Sequence, residues 1–341
     1  MALTLGVLLA IVLPAFWPGQ DGSTTWTPQS SGVTARLRGV SAASERVVWA
    51  SGSEGTVIRS QNGGETWQRL LVPDAATLDF RDIDAVDERT AYLLSIGPGD
   101  ASRIYKTSDA GQSWTLQFRN DDPKAFFDAM AFRDARRGYA FSDSVEGTFI
   151  VLRTDDGGKR WSRVPGSALP AALPGEGAYA ASGTNVVVRG DLIWIGTTAS
   201  RVLRSNDGGR SWTVAQTPIP TGSSAGIFSA AFRDASHGIV VGGDFKNEQE
   251  AVDNAAVTAD GGRTWTRVSG LSGYRSGVAY VPRSKGTVVA VGPSGADVSV
   301  DDGRTWTAQP GQRFHAIGFA PRSKVGWAVG ENGSVARVAV R

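Results

Sequence analysis

The chain has 341 residues, 41% hydrophobic and 20% charged, a globular composition long enough for two ordinary domains or one large all-β domain. With no cysteine, disulfides, iron–sulfur clusters, thiolate zinc sites and cysteine nucleophiles are excluded; with only two histidines, His237 and His315, neither a metal nor a cofactor is expected. A formal net charge of +2 argues against a dedicated nucleic-acid binder. Six of the 35 basic residues are lysine and the rest arginine, a bias that favours recognition of carboxylate or phosphate and that GC-rich codon usage produces equally well.

Residues 1–20 are expected to be a signal peptide or a membrane anchor, and residues 21–341 the folded domain. Ala2 to Trp17 is a nearly continuous apolar run, short for a transmembrane helix and of the length of a signal-peptide core. No Lys or Arg precedes the run and no small-x-small cleavage site follows it, so both options stay open. Either places the domain outside the cytoplasm, periplasmic or anchored, with membrane contact only through this segment.

From there the chain is repetitive. The 43 glycines, against 15 prolines, predict many tight turns. One pattern, Ser/Thr-x-Asp/Asn-x-Gly-x-x-Trp, recurs six times. Its Asp/Asn and Trp positions are Asn62 and Trp67, Asp109 and Trp114, Asp156 and Trp161, Asp207 and Trp212, Asp260 and Trp265, and Asp301 and Trp306. The tryptophans lie 47, 47, 51, 53 and 41 residues apart. A degenerate seventh copy ends at Trp26, with Asp21 in place and Ser23 where glycine belongs. The residue types have a local task. The Asp or Asn accepts backbone N–H groups in a tight turn, the glycine takes positive φ where the chain reverses, and the tryptophan opens the next strand with a large packing surface. These positions are therefore read as structural.

Between the boxes lie short β-rich runs. In the third unit they are Phe127–Phe132, Gly138–Ser142, Thr148–Arg153 and Trp161–Val164; in the last they are Phe314–Phe319, Gly326–Val329 and Ser334–Val340. The last unit lacks a fourth strand, which Thr25–Gln29 can supply. Dividing the domain by a period of about 46 residues predicts an all-β, seven-bladed β-propeller of four-stranded antiparallel blades, its ring closed by the N-terminal strand.

The pattern resembles the BNR/Asp-box propeller families, and most of all bacterial members of the photosystem II stability/assembly factor-like group, whose repeats carry Gly-Trp-Ala-Val-Gly before a glycine hairpin. Here that reads Gly326-Trp327-Ala328-Val329-Gly330, with Gly333 in the hairpin. Residues 175–183 and 224–234 are similar to the same group. The resemblance implies a non-catalytic binding scaffold, docking or assisting the assembly or stability of a membrane or exported protein.

Strand order would place the boxes on one face with the first-to-second strand turns. Those are basic at Arg133, Arg136 and Arg137, at Arg283 and Lys285, and at Arg322 and Lys324, either a solvated surface or a patch for an anionic partner. The opposite face would carry the longest insertions, 165–183 and 242–254, where a rigid scaffold usually displays binding residues. Aligning the inner strands puts Arg38, Arg81, Asp128, Ser276 and His315 at comparable positions near the central channel, a candidate binding site for a protein of the envelope or a glycan, on a chain expected to be a monomer. The alternative is a sialidase-like or endoglucanase-like glycoside hydrolase acting at the channel mouth. The early Arg-Ile-Pro motif of sialidases is absent, and for a generic two-carboxylate mechanism the pair to test is Asp82 and Asp128. No nucleotide-binding glycine fingerprint is present, and the acidic 244–253 loop lacks EF-hand spacing.

Overall fold

The computed structural model describes residues 23–341; the segment read as a signal peptide or anchor, and Asp21, lie outside the described residues. The described residues form seven four-stranded antiparallel sheets. Their inner strands, in chain order, are Leu37–Ala42, Asp79–Ala85, Phe127–Phe132, Val186–Arg189, Ala225–Phe232, Gly277–Tyr280 and Ala316–Phe319, and each packs beside the next around a ring. The seventh blade is completed from the other end of the chain. Its third strand, Val335–Val340, pairs antiparallel with Thr24–Gln29 in a register that sets Thr24 opposite Val340 and Gln29 opposite Val335. The closing strand gives the seventh sheet its fourth, outermost member, and its Trp26 stacks on Phe314 with centroids 5.5 Å apart.

The hydrophobic cores lie between blades, one at each of the seven interfaces. Second strands are therefore covered on both faces, and Val48–Gly52 is buried at every residue, reading as a continuous small and apolar run rather than an alternation. Outer strands are short and largely exposed, as with the two-residue Ser162–Arg163.

The box turns explain why the repeat is spelled as it is. In the second blade Thr107 Oγ1 accepts the N–H of Gly111 at 2.9 Å, while Asp109 Oδ1 accepts the N–H of Ser113 at 2.9 Å. Ala110 and Gly111 both take positive φ, 67° and 86°, which is why glycine dominates this pair of positions. Each box also reaches the first-to-second turn of its own blade, as in the bond from Gly157 N–H to Arg136 O at 2.8 Å. Across the blade interface the second-strand aromatic of the preceding blade donates to a box carbonyl: Tyr92 Oη to Gly157 O at 2.9 Å, Tyr139 Oη to Gly208 O at 3.0 Å and Trp194 Nε1 to Gly261 O at 2.8 Å.

Candidate functional site

Four inner strands carry a β-bulge toward their start. The register slips between Leu37 and Gly39, Phe80 and Asp82, Phe127 and Ala129, and Ile227 and Ser229. The extra residues are Arg38, Arg81, Asp128 and Phe228. A bulge re-aims one side chain out of the pleat, and all four line one cavity of about 640 Å³ at the channel mouth, on the face away from the boxes. His315 joins them from just ahead of the seventh inner strand. Ser276, at the corresponding place in the sixth blade, does not reach the lining; it is fully buried and its Oγ donates to His315 O at 2.8 Å.

The floor of this cavity comes from the longer insertion. Residues 176–184 leave the third blade and cross the channel before entering the fourth. Ala178 N–H bonds Asp143 Oδ1 at 3.1 Å, Ala180 O receives Arg81 Nη1 at 2.7 Å, and Ala181 O receives Arg38 Nη1 at 3.5 Å. Ser182 Oγ donates to Ser276 O at 2.7 Å, and the hydroxyls of Thr184 and Ser229 lie 2.6 Å apart. The channel is thus plugged by a segment tied to the first, second, third, fifth and sixth blades. Its entry is anchored by Glu176, buried and ion-paired to Arg201. Tyr179 stacks on Phe228 at 3.8 Å with the rings 2° apart, and Tyr274 meets Phe228 edge-on at 4.7 Å, giving an aromatic wall rimmed by Phe245 from the second insertion.

The electrostatics of the cavity are divided. Arg36, Arg38 and Arg81 line one side. Burial, then the positive charges of Arg81 and Arg36, push the Arg38 guanidinium down to about 10, so it stays charged but is short of a counter-ion. Burial and Arg38 together push His315 down to about 4, leaving its imidazole neutral. Its Nε2 lies 2.7 Å from Glu331 Oε1, and its buried Nδ1 has no partner among the described residues. On another side Asp128 and Asp143 face each other. Burial pushes both up, and for Asp128 the neighbouring Asp143 adds to it.

The pair weighed for hydrolysis is not brought together in this cavity. Asp82 Oδ2 accepts the N–H of Met130 in the next inner strand at 2.7 Å, and Gly183 sits so close over its carboxyl that no side chain would fit there. The acidic partner of Asp128 is Asp143, which sequence alternation could not find because another register slip, between Ser142 and Val145, turns it toward the cavity. Of the basic turns on the box face, Arg133 and Arg137 are met by Asp134 and by Asp191 of the next blade.

Fold and repeat define a BNR-type seven-bladed β-propeller. The description of the photosynthesis system II assembly factor YCF48 family matches residues 14–138. Within that class the chain resembles the propellers of the Ycf48-like group. The photosystem II assembly lipoprotein Ycf48 of Synechococcus sp. (strain CC9902) is 27% identical over 221 residues, covering 64% of this chain and 57% of that protein. A xyloglucanase of Paenibacillus sp is 23% identical over 262 residues, 65% of this chain, but the chain spans only 24% of that enzyme's length. The solved structure of YCF48 bound to D1 peptide shares the fold with a TM-score of 0.65, at 17% identity over 93% of this chain and 97% of that one.

Proposed function

We propose that this protein is an exported, non-catalytic docking propeller that holds a segment of a membrane or exported protein in the cavity at the plugged channel mouth. The observation that carries the reading is the convergence of bulged inner-strand residues there: an arginine wall in which Arg38 has no ion-pair partner, beside an aromatic wall, over a floor fixed by hydrogen bonds. Such a surface offers charge-assisted bonds to an acidic group and apolar area to its neighbour, with little reorganisation on binding. The Ycf48 solved with a peptide supports it, and the apolar run Ala2–Trp17 together with the lipoprotein relative supports export. Glycoside hydrolysis, the reading the xyloglucanase relative would favour, has less support, because Asp82 is turned away beneath Gly183.

The test uses the full chain as bait in host envelope extract, with Arg38→Ala and Arg38→Ala/Arg81→Ala as control baits. Enrichment of a membrane or exported protein that both controls lose is the expected result. Equal enrichment on wild type and controls would remove the cavity from the reading, and no enrichment would remove the docking function.

A further inference from the structure

We propose that Asp128 and Asp143 form a receptor for one basic side chain of the docked segment, an ammonium or guanidinium held across from the arginine wall. The inference rests on the docking reading and adds to it the chemistry of one partner residue. Two bulges carry it, since each turns a carboxyl out of its strand toward the same cavity.

The treatment of the other buried acids shows what is missing here. Glu176 is paired with Arg201, and Asp297 with Arg275. Asp82 and Asp84 each accept a backbone N–H from the next blade, at 2.7 and 2.6 Å. Asp143 has the N–H of Ala178 and the carboxyl of Asp128, and Asp128, 1% exposed, is met only by Asp143 and keeps an Oδ2 with no donor among the described residues. Burial pushes both carboxyls up, and side by side they resist ionising together, which favours a proton shared between them until a cation arrives. Arg81 cannot supply the charge, because its guanidinium is already held by Asp79 at 2.8 Å and by Ala180 O. A metal ion would lack ligands, since no group of three or more His, Asp or Glu able to hold one occurs among the described residues. A basic side chain entering the cavity takes the place of the shared proton, which leaves to solvent, and turns a buried like-charge pair into a compensated one. An acetylated lysine has the same reach and no charge, so the pair gains nothing from it.

The experiment uses the full chain and fluorescent hexapeptides ending in a free carboxylate, with lysine or acetyl-lysine placed at each position in turn, at neutral pH. At one position lysine is expected to bind at least about tenfold tighter than acetyl-lysine. Asp143→Asn, which keeps an acceptor for Ala178, and Asp128→Asn are each expected to abolish that difference while leaving the dependence on the free carboxylate intact. Equal binding of lysine and acetyl-lysine at every position, with the carboxylate dependence preserved, overturns the receptor and leaves docking standing. Should no peptide bind, the docking reading falls, and the pair is judged alone by titrating n-butylammonium against its protonated-carboxyl infrared band. The part of that band that both variants lack is expected in wild type and must vanish as the amine binds; its persistence overturns the proposal.

Discussion

The guanidinium of Arg81 holds the carbonyl of Ala180 at 2.7 Å, joining an inner strand to the channel plug across 99 residues of sequence. Arg38 touches the same segment only at 3.5 Å, and its Nε is buried without a partner among the described residues. The two arginines therefore contribute differently although the alignment of blades makes them equivalent. Arg81→Ala removes charge-assisted bonds to Ala180 and Asp79 and is expected to lower unfolding stability by about 2 kcal/mol. Arg38→Ala removes a desolvated cation crowded by two others and is expected to leave stability within about 0.5 kcal/mol of wild type. Urea midpoints at constant slope decide this, and a larger loss for Arg38→Ala would reverse the assignment of roles.

Asp84 gives a pH dependence of known sign. Burial pushes its carboxyl up to about 6, against the bond it accepts from Phe132 N–H. The folded state therefore keeps this proton at a pH where the unfolded chain has lost it. Stability is greatest below the unfolded value and falls as pH rises toward the folded one, by about 3 kcal/mol in total. Asp84→Asn keeps an acceptor for Phe132 and cannot ionise. Subtracting its urea-derived stabilities from wild type between pH values of about 4 and 7 should isolate this falling slope, and a flat difference would show that the group titrates normally.

Arg275 and Asp297 are both fully buried, with Nε and Oδ2 2.6 Å apart, and they pin the connection entering the sixth blade to its third strand. Asp297→Ala strands the guanidinium and is expected to cost about 3–5 kcal/mol. Arg275→Met combined with Asp297→Leu should recover most of that loss. A double variant as unstable as the single one in the same denaturant titration would mean that the charge pair itself stabilises the fold.

How legible this was from sequence differs by level. Blade number, ring closure and most strand limits followed from the boxes, because a box fixes its turn by local hydrogen bonds, as Asp109 does with Ser113. The strand expected over Thr25–Gln29 is found at Thr24–Gln29, paired as closure requires. Alignment of the inner strands also located Arg38, Arg81, Asp128 and His315, since repeats place equivalent residues at equivalent heights. Two things escaped. Asp143 was hidden by a bulge, which leaves no mark in an alternating pattern. The plug was hidden because residues 176–184 have no regular structure and owe their path to contacts with several other blades, among them Tyr179 on Phe228. Both halves of that stack lie in the two stretches that carried the family likeness, yet nothing local shows that they meet.

The strand that closes the ring gives the cavity a birthday. The cavity draws its walls from the first blade, at Arg38, and from the seventh, at His315 and Glu331. The seventh blade is finished only when Thr24–Gln29, among the earliest described residues to leave the ribosome, pairs with Val335–Val340, among the last. A chain that lacks either strand therefore cannot complete the blade that supplies His315 and Glu331 to the cavity. Ser23 leaves the ring beside Arg341, at the end of the seventh blade that carries Lys324. The first described residue thus lies on the side away from the cavity.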